Sequence, residues 1–272
     1  MEELIISAQH EEKNYWRDLW SYRELLYFLA WRDILVRYKQ TTVGVAWAFI
    51  RPALQIAIFT FVFSRVAKMS SGPVPYVLLV TAGSLPWNLF AGTIAAAGDS
   101  LIAGSSLISK IYFPRLLVPA STLVVGFVDF AISLGILVIL MIWFQYVPDF
   151  RILTLPFFIF LALAASLGVG LWLAALTVQY RDFRFISPFI VQIGAFVAPV
   201  GYSTTNISGV KRLVYSLNPM VGVIDGFRWA IFRGSVPFYW PGLIISICIS
   251  TILLITAIWY FRRTEKTFAD MI

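Results

Sequence analysis

The sequence predicts an all-α membrane protein: six transmembrane helices, an N-terminal interfacial helix, and re-entrant outer helices between spans five and six. Three observations predict it. Of 272 residues, 60% are hydrophobic and only 13% charged, with a mean hydropathy of +0.82; soluble domains carry about 25% charged residues. Apolar runs of span length, about 20 residues, recur along the chain. Basic residues fall mainly between these runs rather than in one stripe. The net charge of +7 therefore follows membrane topology, and no nucleic-acid partner is expected.

Residues 1–45 are expected to form a tail and an amphipathic interface helix. Leu25, Phe28, Trp31, Leu35 and Tyr38 fall at helical spacing, while Arg23, Asp33 and Arg37 gather on another side. Such a helix lies among lipid headgroups with its aromatics at the water boundary, or packs on the protein itself. The polar hinge Gln40-Thr41-Thr42 then feeds the first span. The first 40 residues are charged and lack an A-x-A-like site, so no cleavable leader is expected.

Residues 46–272 are expected to form one spanning domain. The spans are Ala46–Ala67, Tyr76–Ala97, Leu116–Tyr146, Ile152–Val178, Phe185–Tyr202 and Pro241–Phe261. The fifth is the shortest and contains Pro188 and Pro199. Lysine and arginine set the orientation: with both termini cytoplasmic, fourteen basic residues fall inside and seven outside, in keeping with the positive-inside bias. The outer segment 203–240 holds NPMVGVIDGFRWAIF, too short to span and too apolar for a solvated loop. A re-entrant or interfacial helix pair fits both facts. Gly222 and Gly226 would permit close helix contact.

Few residues carry chemistry. His10 is the only histidine, which excludes histidine triads and HExxH zinc sites, and Cys248 is the only cysteine. No catalytic or metal site is expected. GSSLISKI at Gly104–Ile111 misses the phosphate-loop pattern at Ser109 and Ile111 and follows a span rather than a strand. Asp129 is the one acid deep in a predicted span. It either pairs with a polar group or backbone of another span or marks a proton path, and no second carboxylate accompanies it. Arg51 either snorkels to the interface or meets an anionic group such as a phosphate. Trp87, Phe90, Tyr202 and Trp229 sit at breaks or ends of spans, where aromatic faces suit a glycan route as well as packing.

Six motifs follow one another along the chain: RYKQTTVGVAWAFIRP, GSLPWNLF, KIYFPRLLVP, YRDFRFISP, APVGYS and NPMVGVIDGFR. Taken in order, they resemble the membrane subunit of an ABC transporter of the polysaccharide-export family, which serves O-antigen, capsule and teichoic-acid export; Thr42, Gly44, Trp47 and Pro52 match its pattern, and Val43 stands in place of leucine. The resemblance covers about Leu25 to Phe268.

The resemblance implies a homodimer in the bacterial inner membrane, with a separate ATPase dimer that binds ATP and magnesium. This chain itself would hold no cofactor. It implies a coupling helix in the linker Asp99–Arg115, with Ser106, Lys110, Phe113, Pro114 and Arg115 receiving the ATPase's motion and Arg181 and Asp182 contributing. Arg37, Trp47, Arg51, Trp87, Phe90 and Tyr202 would form the substrate channel and its entrance. Asn218, Pro219, Gly222, Gly226, Arg228 and Trp229 would form an outer gate. The cargo would be a polysaccharide on a polyprenyl pyrophosphate, the alternative being a lipid, drug or other small molecule.

Overall fold

The computed structural model describes residues 15–39 and 46–271. His10, the hinge Gln40–Thr42, Val43 and Gly44 lie outside the described residues. Among the described residues all regular structure is helical. Five helical segments are long and apolar enough to cross a membrane: Ala46–Val66, Tyr76–Ala103, Leu117–Trp143, Phe150–Gln179 and Trp240–Thr267.

Two helices precede the first span, α1 (Tyr15–Ser21) and α2 (Arg23–Lys39). Leu29 and Ala30 of α2 are buried, whereas Phe28 and Trp31 are exposed. α2 thus packs on the bundle by one side and leaves its aromatic stripe open. The first span is α3 (Ala46–Thr60) with a π-helical extension over Phe61–Val66. Pro52 lies inside α3; such a break is tolerated in a span where neighbouring groups take up the freed backbone.

The second span, α4 (Tyr76–Ala103), is the central post, buried on nearly all sides against α6 (Leu117–Trp143) and α7 (Leu155–Gln179). Lipid offers no hydrophobic drive between spans, so close van der Waals packing must hold them. α4 meets this need with small residues such as Ala82, Gly83, Ala91, Ala97 and Gly98. Two of its buried hydroxyls bond back to their own helix: Thr81 donates to the Val77 carbonyl at 2.7 Å and Ser84 to Val80 at 2.9 Å. Between α4 and α6 the chain makes one short helix, α5 (Ser105–Ile108).

α8 (Phe183–Val197) departs from expectation. It has 15 residues, which reach about 22 Å at 1.5 Å per residue, short of the roughly 30 Å hydrocarbon layer. Pro199 supplies the reason. A proline bars its predecessor from the helical region, and Ala198 is extended at φ −74°, ψ 147°. The predicted fifth span therefore ends as a helix at Val197 rather than continuing to Tyr202.

Two further short helices follow, α9 (Gly209–Tyr215) and α10 (Pro219–Ile231). α10 is buried along almost its whole length, against α4, α7 and the last span, α11 (Trp240–Thr264). A 3₁₀ turn at Glu265–Thr267 leads to α12 (Phe268–Met271). Phe268 is buried in the same apolar cluster as Leu29, Phe113 and Phe261, and the Tyr15 hydroxyl donates to Glu265 at 3.1 Å. These contacts gather α1, the α5 linker and the C-terminal turn at one end of the bundle.

Candidate functional site

At that end the two predicted linkers meet. Asp99, in the last turns of α4, pairs with Arg184 in the first turn of α8 at 3.4 Å. The expected coupling residues divide by exposure. Ser106, Lys110, Arg181 and Asp182 are exposed, as are Ile111 and Tyr112. Phe113 and Pro114 are buried and anchor the linker. Arg115 is half-buried, and its Nη1 has no hydrogen-bond partner among the described residues. The linker therefore presents a polar and aromatic tip on a fixed apolar root.

The expected entrance residues separate as well. Trp47 and Arg51 are exposed. They stand one turn apart on α3 with the guanidinium 5.7 Å from the indole centroid, a cation–π arrangement. No carboxylate among the described residues pairs with Arg51. Arg37 is engaged: it forms an ion pair with Asp129, and the Tyr38 hydroxyl donates to the same carboxylate. Asp129 lies about 18 Å along α6 from Leu117 at 1.5 Å per residue. It thus has a polar partner, supplied by α2 rather than by another span. Burial, and then the hydrogen bond to Asp129, push the Tyr38 phenol above its ordinary value.

Trp87 and Phe90 are buried inside the chain, their ring centroids 5.6 Å apart. Trp87 fills the space beside Gly194, so its bulk fastens α4 to α8. Tyr202 donates to the Phe196 and Val197 carbonyls, both at 3.1 Å, and shares a 2.5 Å hydrogen bond with Tyr215. It braces the bend after α8.

The opposite end is organised by α10. Asn218 caps it, accepting from the Met220 amide at 3.0 Å, and Pro219 takes the first-turn position where its missing N–H costs nothing. Gly222 meets Ser246 of α11, whose hydroxyl accepts from the Gly222 amide at 3.2 Å; Gly226 meets the Phe158 ring of α7. The two glycines thus admit two different neighbours. Trp229 lies under the Arg151 guanidinium, 5.3 Å away.

Arg228 is fully buried. Its Nε and Nη2 donate to the Leu79 carbonyl at 3.3 and 3.1 Å, Nη2 also to Val200 at 2.8 Å, and Nη1 to Tyr202 at 2.7 Å. One planar cation so joins α10, the first turn of α4 and the bend after α8. Such forked donation suits arginine and no other side chain.

Sequence reasoning missed Asp225, Thr204 and Arg212. Thr204 donates to Asp225 Oδ2 at 2.7 Å, and Arg212 Nη2 lies 4.0 Å from the same oxygen with its guanidinium 4.1 Å from the Tyr239 ring centroid. The signal was present: an acid and an arginine three apart in an otherwise apolar helix share a face and announce a buried polar cluster. In sequence Arg151 and Arg233 are two of the seven basic residues assigned to the outer side. They fasten the far end of α10, with Arg151 donating to the Arg233 carbonyl and Arg233 to that of Val147.

The arrangement is that of a multi-pass membrane protein with an exposed linker face at one end and a clamped, buried short helix at the other. The ABC-2 type transporter family model matches residues 24–232. An O-antigen export system permease protein RfbA from Myxococcus xanthus is 27% identical over 258 residues, covering 94% of this chain and 98% of that protein. Two proteins of the same name from Klebsiella pneumoniae are 23% and 25% identical, each covering 92% of this chain and 95% of its own length. With the family match running through α2, the exposed linker and the α10 clamp alike, the chain belongs to the ABC-2 type transporter family.

Proposed function

We propose that this chain is the transmembrane subunit of an ATP-driven exporter that carries a polyprenyl-pyrophosphate-linked polysaccharide out of the cytoplasm across the bacterial inner membrane. The observation that carries the reading is end-to-end likeness to three proteins named O-antigen export permeases, in a chain of matching length. Two copies enclose the path, and a separate ATPase dimer binds ATP and magnesium. That dimer docks on Ser106, Lys110, Arg181 and Asp182, whose exposure at one end supports the assignment.

In this reading both termini are cytoplasmic and α8 with its bend to Tyr202 serves as the fifth of six spans. Residues 1–45 form the interface region and 46–272 the permease domain. α9 and α10 form the re-entrant gate within 203–240, closing the exit from the outer side. Arg51, exposed beside Trp47 and unpaired among the described residues, meets the entering pyrophosphate.

Deleting the gene and fractionating lipid-linked polysaccharide tests this. Loss of surface glycan with polymer trapped inside is the expected result. Unchanged surface glycan in a host without a redundant exporter points to a small-molecule cargo. Absence of polymer everywhere would assign the chain to synthesis instead.

A further inference from the structure

A cavity of about 390 Å³ lies between α2, α4 and α6, within the range of ligand-sized pockets. Leu29, Val36, Val118 and Val125 give it an apolar wall, and Arg32, Asp33, Arg37 and Asp99 give it a charged rim. The rim is balanced in sign. Arg32 pairs with Asp33 at 2.8 Å, Arg37 with Asp129, and Asp99 with Arg184 at 3.4 Å.

None of these side chains is closed off: Arg32 and Arg37 are 48% and 43% exposed, Asp33 and Asp99 35% and 52%. Each guanidinium therefore keeps free donors, and each carboxylate keeps free lone pairs.

A purely anionic headgroup would gain from the arginines and be opposed by Asp33 and Asp99. A purely cationic one would meet the reverse. A soluble ion of either sign would leave the apolar wall uncovered. A headgroup carrying both signs, attached to hydrocarbon, matches the rim and the wall together.

We propose that this groove seats a zwitterionic phospholipid of the surrounding leaflet, its phosphate toward Arg32 and Arg37 and its ammonium toward Asp33 and Asp99. The first methylenes of its chains lie against Leu29, Val36, Val118 and Val125. The lipid is a wedge between α2 and the bundle, separate from the exported cargo, so the proposal does not depend on what that cargo is.

Native mass spectrometry of the full-length protein, titrated with phosphatidylethanolamine, phosphatidylglycerol or a polyprenyl pyrophosphate, tests it. Phosphatidylethanolamine should be retained about tenfold over phosphatidylglycerol, the ratio one charge-assisted contact sustains. Asp33→Asn with Asp99→Asn should bring that ratio near one. Ala103→Phe, which fills the groove from an exposed position, should reduce retention of phosphatidylethanolamine even if the double variant fails to fold. Equal retention of the two phospholipids, a preference that survives both aspartate changes, or no loss with Ala103→Phe would overturn the proposal. Displacement by the polyprenyl pyrophosphate would give the groove to the cargo.

Discussion

Arg228 occupies the space that Gly83 leaves open. A Cβ on Gly83 would stand 2.7 Å from Arg228 Nη2 and from the Val200 carbonyl oxygen, so the glycine on α4 is the seat of the arginine on α10. Gly83→Ala should displace the guanidinium from at least one of its three carbonyls and cost about 2 kcal/mol, the scale of a hydrogen bond to a charged group. Arg228→Lys should cost at least as much, because a point ammonium cannot reproduce the planar fork that serves three carbonyls on two elements. Thermal unfolding of the purified protein checks both; full stability of Gly83→Ala would contradict the clamp.

Asp225 is buried with Thr204 as its near donor and Arg212 at the edge of ion-pair range. Removing one partner of a buried charge leaves the other uncompensated, at about 3–5 kcal/mol. Asp225→Ala should therefore destabilise strongly, and Thr204→Val by about 1 kcal/mol. A double-mutant cycle on the pair should show coupling; simple additivity would place them apart.

The Tyr38 phenol is neutral in the folded state and ionises above its free value near pH 10, raised first by burial and then by Asp129. Its contribution is thus whole below about pH 10 and fades as pH climbs beyond, since the unfolded chain ionises first. Spectrophotometric titration of the protein, less that of a Tyr38→Phe variant, should show the Tyr38 phenol ionising late. Asp129→Asn should lower that value only part of the way, because burial remains; an unchanged value would remove Asp129 from the account.

Exposure separates two classes of linker variant. Phe113→Ala opens a cavity in a packed cluster and should destabilise by about 3–5 kcal/mol. Arg181→Glu, at the surface, should shift stability by no more than about 0.5 kcal/mol while impairing ATP-driven export. Export unaffected by Arg181→Glu and a matching Lys110→Glu would move the ATPase contact elsewhere.

Arg51→Ala should likewise leave thermal stability nearly unchanged and lower export, with Arg51→Lys retaining part of it. Normal export at normal expression in Arg51→Ala would remove Arg51 from the entrance.

The long spans were legible because each is a local property, an apolar run of sufficient length. Two of the five candidate spans, at Ala46 and Tyr76, begin at the expected position, and the other three begin within two residues of it. The early end of α8 was also written locally, in Pro199, but apolar composition masked it. The site was less legible. Arg37 and Asp129 stand 92 residues apart, Arg228 and Leu79 149 apart, and nothing in either segment names its partner. Trp87 is expected near a channel from its place at a break or end of a span, and nothing in its own segment names Gly194 of α8 as the neighbour it packs on.

By itself the sequence determined that this protein lives in a bilayer and where its five long apolar helices run. A helix satisfies its own backbone, so in lipid an apolar run of the right length is nearly sufficient. Only the tertiary structure decided which charges are buried, which are paired and which remain exposed. A charge out of water must find its partner across the packing of whole helices, and that meeting of Arg228 with α4, or of Asp129 with α2, exists only once the bundle has closed.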